Sequence, residues 1–293
     1  VGAAVQHPLA AAMVSRAYNY SGRRMALGTY NFSGDIGKFL FPALAAVALS
    51  QISWRPLSSG FGFLGCVLAI TLYIILRRAR VGETALNQTN SKAATKTNGW
   101  GIVHKSAFST LSIIAILDTA IRSGFIIFGP FFFIQKGIQA ESVGFALSLL
   151  FVGGAAGKFL CGALAVRIGV IATVVITECI TGFGILILAV LPFPHIYYFL
   201  PVLGVALNGT SSVLYGTVGD FASSRRIARA FGLFYTFVIA ASALAPPAMG
   251  WLSDTLGLDA SIRLIAWVAL GTVPMAFILA RQRVELKKEN QRI

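Results

Sequence analysis

Charged side chains are scarce in this chain, and their scarcity restricts the classes of protein to which it can belong. Only 12% of its 293 residues are charged, whereas a soluble domain carries about 25%. Hydrophobic residues make up 56% of the sequence, which excludes a disordered chain and argues against a soluble enzyme. A membrane protein with several spans accounts best for this composition.

Cysteine and histidine are also few. The cysteines are Cys66, Cys161 and Cys179, and the histidines are His7, His104 and His195. Each cysteine lies within an apolar run, and none has a second cysteine at a metal-binding or disulfide-like spacing. The histidines are too far apart in the sequence to suggest a metal site. We therefore expect neither a bound metal nor any other cofactor.

Acidic residues number 10 against 24 lysines and arginines, which gives a net charge of +14. Such an excess can indicate nucleic-acid binding, but here the basic residues form short clusters between long apolar runs. Cytoplasmic loops of membrane proteins collect Lys and Arg. Counted over alternating loops, 18 basic residues fall on one side and three on the other. This predicts a multi-pass protein of the cell membrane with a cytoplasmic C-terminus, and no nucleic-acid partner.

Long apolar runs dominate the sequence. A helix needs about 20 mostly apolar residues to cross the hydrocarbon core, and segments of this kind must be helical because lipid satisfies no backbone polar group. We expect an all-α, polytopic membrane helix bundle with nine transmembrane helices. The expected spans are residues 1–18, 26–50, 54–76, 106–134, 141–163, 171–192, 195–219, 230–252 and 262–280.

The longest polar segment, residues 77–105, has a centre rich in Thr, Asn, Ser and Ala and is expected to be a flexible cytoplasmic linker. It separates three expected helices in 1–76 from six in 106–293, which ends in a cytoplasmic tail. Residues 28–42 and 232–246 both have a Gly, an aromatic residue two positions later and a Pro fourteen positions later. A repeat of this length implies two pseudo-symmetric halves of about six helices. We therefore expect that three N-terminal helices are missing.

Enzyme-like motifs are present but lie in the wrong context. The segment Gly60–Gly65 matches G-x-G-x-x-G, but it lies in an uncharged apolar run with no acidic residue at the required distance. The Gly-Lys pairs at 37–38 and 157–158 lack the other residues of a phosphate-binding loop. No Ser/His/Asp or Cys/His arrangement stands out. We therefore do not expect an enzyme.

Three stretches resemble the major facilitator superfamily. The stretch Gly162–Gly169 is similar to that family's Gly-x-Leu-Ala-Asp-Arg-x-Gly loop, with Val166 in place of the Asp. Gly34–Pro42 is similar to its glycine-rich fifth helix. His7-Pro8, followed by Gly22-Arg23-Arg24, is similar to fosmidomycin-resistance-type permeases. The resemblance implies a fold of two six-helix halves, of which this chain would supply helices 4 to 12, and the activity of a secondary transporter.

Ionisable side chains within the expected spans are the candidate functional residues, because such groups are costly in a bilayer. Those expected to bind substrate or protons are Asp118, Arg122, His7, Asp35 and Lys38. Those expected at a gate or helix interface are Lys158, Glu178, Gly162, Arg167 and Gly169. The charged residues could instead be structural contacts that line a wet cavity or hold helices together, and this alternative stays open.

Spacing relates these candidates to one another. Asp118 and Arg122, four residues apart, share a helix face, and they fall roughly 18–24 Å along a helix that lines the central cavity in the resembled fold. We expect Asp118 to neutralise Arg122 when the site is empty. Asp35, one turn before Lys38, is expected to face Lys158 between the two halves, where glycines permit close packing, and Glu178 is expected to pair with Lys158.

Together these features predict a secondary active transporter that works by alternating access. We expect proton coupling, because titratable groups are buried and no nucleotide-binding motif is visible. The basic residues Lys38, Arg122 and Lys158 favour a small organic anion or drug-like solute. Efflux follows from the subfamily resemblance, while uptake of a carboxylate metabolite and a non-transporting receptor or enzyme remain alternatives. The expected partners are the solute, protons and the lipid bilayer, and the protein is expected to be a monomer.

Overall fold

The computed structural model describes residues 20–78, 99–193, 195–223 and 226–290. Eight α-helices follow one another along these ranges. They are α1 (Tyr20–Leu49), α2 (Trp54–Arg78), α3 (Lys105–Gln135), α4 (Val143–Ile168), α5 (Val170–Val190), α6 (His195–Thr217), α7 (Ile227–Leu256) and α8 (Leu258–Asn290). Short 3-10 turns precede α4 and follow α6. The described ranges contain no strand beyond one isolated bridge, so the predicted all-α class is confirmed.

Seven of the described helices, α2 to α8, are long and apolar enough to cross a membrane. Each of them overlaps one of the spans expected from the sequence. In α1 the apolar segment is shorter, Ile36–Leu49. The first expected span, 1–18, lies outside the described residues. The described part of the chain is thus a polytopic membrane bundle.

The chain divides into two compact units. One contains the residues up to Ala43 together with those from Trp100 onward, and the other spans Leu44–Gly99. The second unit contains α2, which has no buried residue and ends on Arg77 and Arg78. The first unit contains α3 to α8, and most of the candidate functional residues lie on these six helices.

Helices α4 and α6 pack backbone against backbone. Gly153 and Gly157 of α4 lie so close to α6 that an added Cβ would overlap the backbone of Pro201 and Val205. We call these four residues the glycine seam. The spacing of the two glycines is that of GxxxG packing, and close packing is confirmed. Their partner, however, is α6 of the same bundle rather than a helix of the other half.

The last residues of the expected linker are joined to the connection between α6 and α7. The Val103 N–H donates to the Phe221 carbonyl at 2.9 Å, and the Ser223 N–H donates to the Gly101 carbonyl at 2.8 Å. Gly101 has a φ of +77°, and a Cβ there would also overlap Arg226. This end of the expected linker therefore belongs to the folded bundle.

Candidate functional site

A band of polar side chains crosses the bundle between two apolar clusters. On α3, one cluster contributes the buried residues before Asp118 and the other contributes those after it. The same interruption occurs at Glu178 on α5, at Thr210 on α6 and at Thr272 on α8. Along α6 and α8 the chain passes through the two clusters in the opposite order from that along α3 and α5, because these helices run in the opposite direction. The four residues therefore all lie at the boundary between the clusters, at one depth in the bundle. We call Asp118, Glu178, Thr210 and Thr272 the polar layer.

Asp118 and Glu178 form the centre of the polar layer. Their residues are only 4% and 1% exposed, and their carboxyl groups lie within hydrogen-bonding reach of each other. One oxygen of each, Asp118 Oδ2 and Glu178 Oε2, has no hydrogen-bond partner among the described residues. Buried polar atoms are normally partnered. This carboxyl pair is therefore the main candidate for a functional site in the described bundle.

Threonine hydroxyls surround the Glu178 carboxyl. Those of Thr210 and Thr272 lie close to it and interact with it. In addition, Thr210 donates to Thr177 Oγ1 at 2.8 Å, and Thr272 donates to the Ala269 carbonyl at 2.6 Å. Because a hydroxyl proton rotates to suit its surroundings, these threonines can turn toward the carboxyl or away from it.

Arg122 connects the polar layer to a less buried surface of the bundle. It is half-buried, and its guanidinium interacts electrostatically with Asp118 and with the Tyr215 side chain. Among the side chains that the structure describes, no direct ion pair joins Arg122 to Asp118, and Nε of Arg122 has no partner. The expected neutralisation of Arg122 by Asp118 stays a prediction. The unpartnered Nε is itself a buried atom.

Aromatic rings from α6 and α7 lie beside Arg122. Tyr215 and Tyr235 stack with ring centroids 5.0 Å apart and planes inclined by 17°. Tyr215 also packs edge-on against Phe234. Both tyrosines are half-buried. A guanidinium next to stacked phenol rings offers charge, hydrogen-bond donors and a flat apolar surface in one place.

Other candidates lie apart from the polar layer or outside the described residues. Lys38 of α1 lines a small gap together with Gly154 of α4 and Asn208 of α6, close to the glycine seam. His7 and the side chain of Asp35 lie outside the described residues. The expected contact between Asp35 and Lys158 therefore stays a prediction.

The position of Glu178 differs from the sequence-based expectation. The groups that interact with its carboxyl are those of Asp118, Thr210 and Thr272, and Lys158 is not one of them. Lys158 lies on α4, whereas Glu178 is buried on α5 within the polar layer. The expected ion pair across these helices is replaced by a carboxyl–carboxyl contact.

The motif-like turn between α4 and α5 contributes no group to the polar layer. Gly169 has a φ of +91° and is the residue at which α4 ends and α5 begins, a conformation that favours glycine. Arg167 is exposed, and a Cβ on Gly162 would meet no atom within 4 Å. Val166, at the position of the family's Asp, is 83% exposed. The described contacts of this turn are structural.

Sequence reasoning missed the threonines and the tyrosines of the site. Thr272 stands in an apolar run and Thr210 lies in the short polar stretch Asn208–Ser212, and threonine in a helix commonly bonds its own backbone. Three of the four helices carry several buried polar residues, so position along a single helix does not identify the residue that joins the polar layer.

An apolar helical bundle with a buried carboxyl pair and a nearby arginine defines a membrane protein with an internal polar site. Comparison with known proteins then gives the family. The family model described as Major Facilitator Superfamily matches residues 1–195 and 111–292. Since these matches cover nearly the whole chain, the protein belongs to the major facilitator superfamily, which consists of membrane transporters. No curated protein matched the sequence.

Proposed function

We propose that this protein is a secondary active transporter that couples the movement of a small organic anion to that of a proton, by alternating access across the cell membrane. The observation that carries this proposal is the proximity of a partly exposed arginine, Arg122, to the buried Asp118–Glu178 carboxyl pair. The arginine supplies a cation for the solute, and the carboxyl pair supplies groups that can bind a proton.

The chemistry of Arg122 supports an anionic solute. A guanidinium presents its donors in a planar fork that matches a carboxylate or a phosphonate. Arg122 lies 17 residues after Lys105, where α3 begins, which places it about 25 Å along the helix. Transporters with internal repeats bind their solutes near the middle of the membrane. The Tyr215–Tyr235 stack would cover an apolar part of the same solute.

The same arrangement supports coupling. A bound anion neutralises the guanidinium, so the carboxyl pair loses its compensating charge and binds a proton more readily. Anion and proton then move in the same direction, and an inward proton gradient drives uptake. This geometry favours uptake of a carboxylate metabolite over the efflux that the subfamily resemblance suggested.

The test uses the full-length protein in proteoliposomes with a panel of labelled small carboxylates and phosphonates. Counterflow measures solute exchange without a gradient, and an imposed pH gradient measures proton-driven accumulation. Wild-type protein should perform both, and vesicles of known orientation distinguish uptake from efflux. Asp118→Asn should retain counterflow and lose accumulation, because a proton-binding group is removed while Arg122 remains.

The matched control is Glu141→Gln, which changes an exposed acid at the turn before α4. It should leave counterflow and accumulation at the wild-type level. Accumulation by Asp118→Asn at the wild-type level would contradict the role of Asp118. If folded wild-type protein gives no flux with any member of the panel, a receptor or enzyme without transport becomes the better description.

A further inference from the structure

We propose that Asp118 and Glu178 act as one proton site, whose carboxyls share a single proton when the solute site is empty and hold two when an anion occupies Arg122. This inference rests on the proposed function and deepens it. It assigns a direct part in coupling to Glu178, which the sequence placed at a helix interface. The reasons are the geometry of the pair and the charges around it.

The first reason is the contact between the two carboxyl groups. An ionised carboxylate can only accept hydrogen bonds, so two carboxyls within hydrogen-bonding reach need a proton between them. Both residues are more than nine-tenths buried, and each has an oxygen without a partner among the described residues. Two like charges this close and this far from water do not ionise together.

The second reason is the count of charges that face the pair. The neighbouring groups are Arg122 on α3, Thr210 and Tyr215 on α6, and Thr272 on α8, with Tyr235 on α7 stacked behind Tyr215. Of the described groups that interact with the pair, Arg122 alone is a cation. One guanidinium balances one carboxylate, and a second negative charge would be uncompensated inside the membrane. The empty site is therefore neutral with one shared proton.

The third reason is that the charge balance between Arg122 and the carboxyl pair changes when an anion binds. A monovalent anion at Arg122 cancels the guanidinium charge and leaves the singly protonated pair with an uncompensated negative charge. Uptake of a second proton restores neutrality. The site thus gains one proton for each anion that it binds, and releasing the anion releases that proton. No covalent bond forms or breaks apart from the O–H bond of the carboxyl.

The threonines of the polar layer suit both protonation states. When Glu178 carries a negative charge, the hydroxyls of Thr210 and Thr272 can donate to it. When Glu178 is protonated, the same hydroxyls can donate instead to Thr177 Oγ1 and to the Ala269 carbonyl. The layer therefore stabilises each state by rotating hydroxyls, without moving a helix.

The proton itself is the probe for the first experiment, so no solute needs to be known. The full-length protein is unfolded thermally in detergent from roughly pH 6 to pH 9. A folded state that holds a proton which the unfolded chain has released becomes less stable as the pH rises, by at most about tenfold in the folding constant per pH unit. We expect this decline in the wild-type protein and in the control Glu141→Gln.

Each single substitution in the carboxyl pair should weaken the decline of stability with rising pH. Asp118→Asn and Glu178→Gln both leave one carboxylate, which Arg122 can balance without a proton. The double variant should show no further reduction of the pH dependence, because the pair is one site. Glu178→Asp, which keeps a carboxyl, should retain part of the wild-type decline. If Glu178→Gln keeps the full decline while Asp118→Asn loses it, the carboxyls do not share a proton and the proposal is overturned.

Two further measurements decide the matter if a variant fails to fold. The infrared spectrum of the wild-type protein in lipid near neutral pH should contain the carbonyl band of a protonated carboxyl that exchanges slowly in heavy water, and its absence would overturn the proposal.

Replacing choline by sodium at constant ionic strength should not change the thermal midpoint. A rise caused by sodium in wild type but not in Asp118→Asn would identify a sodium site instead.

Transport separates this inference from the proposed function. With a solute found in the counterflow panel, the ratio of proton-driven accumulation to counterflow should fall in Glu178→Gln, as it does in Asp118→Asn. If no solute is transported, the proposed function fails, while the pH dependence and the infrared band still decide whether the pair holds a proton. If Glu178→Gln accumulates solute normally, the proposed function stands and the part of Glu178 is refuted.

Discussion

The glycine seam and the polar layer share helix α6, yet they hold their helices together in opposite ways. In the seam, Gly157 has no side chain and the backbone of Val205 occupies the space where a Cβ would be. In the polar layer, Asp118 and Glu178 meet through side chains whose outer oxygens have no partner among the described residues. The bundle therefore places its closest packing and its ionisable chemistry in different helix pairs.

The physical chemistry of the bilayer explains the division. Lipid provides no hydrophobic drive for helices to associate, so close packing of small residues contributes much of their attraction. A buried carboxyl pair has the opposite effect, because desolvation of ionisable groups is costly. Substitutions in the seam should thus affect folding, and substitutions in the polar layer should affect binding and coupling.

The largest effect is expected for Gly157→Ala. The new Cβ would overlap the Val205 backbone, which cannot move without separating α4 from α6. Forcing extra atoms into a close-packed interior costs about 1–3 kcal/mol, occasionally more. Unfolding of the purified protein should show a loss of stability at the upper end of this range or above.

The matched control for this change is Gly216→Ala, in α6, where an added Cβ meets no atom within 4 Å. In a helix this substitution should be neutral or stabilising, because alanine has the higher helix propensity. If Gly157→Ala and Gly216→Ala have the same stability, the seam does not hold α4 and α6 together.

A smaller and different effect is expected for Arg122→Lys. Lysine keeps the positive charge that balances the carboxyl pair but loses the planar fork. Losing a hydrogen bond to a charged group costs about 1.5–3 kcal/mol, so the solute concentration at half-maximal counterflow should rise about ten- to a hundredfold. The thermal midpoint should stay near the wild-type value.

The control for Arg122→Lys is Arg167→Lys, at the exposed end of α4. It should change neither the solute concentration at half-maximal counterflow nor the thermal midpoint. An unchanged solute affinity in Arg122→Lys would show that the guanidinium does not bind the anion, and the polar layer would then lack a demonstrated link to the solute.

The helices of the fold could be predicted from the sequence because bilayer thickness and backbone hydrogen bonding leave few alternatives to long apolar helices. Each of α2 to α8 overlaps an expected span, and Asp118, Arg122 and Glu178 were singled out because ionisable residues are rare inside such helices. Close packing at Gly153 and Gly157 followed from their spacing. These are features of one helix at a time.

The missed features are relations between helices. The sequence does not indicate which face of α5 meets α3, so Glu178 was expected beside Lys158 rather than beside Asp118. It likewise does not show that Gly157 faces α6. Such contacts depend on the rotation and depth of each helix, which the packing of the whole bundle sets and which hydropathy leaves open.

The smallest effect is expected where a hydrogen bond joins helices without burying a charge. Ser123 Oγ and Ser242 Oγ lie 2.9 Å apart and connect α3 to α7. Hydrogen bonds between membrane helices contribute on average about 0.6 kcal/mol in double-mutant cycles, because hydroxyls find other partners when the helices separate. A cycle of Ser123→Ala, Ser242→Ala and the double variant, measured by unfolding, should give a coupling energy of this size. Counterflow should stay unchanged, because the hydrogen bond described for this pair joins the two serines to each other and involves neither Arg122 nor the carboxyls. A coupling energy comparable to the cost of Gly157→Ala would mean that polar contacts also hold this bundle together, and the division between seam and layer would fail.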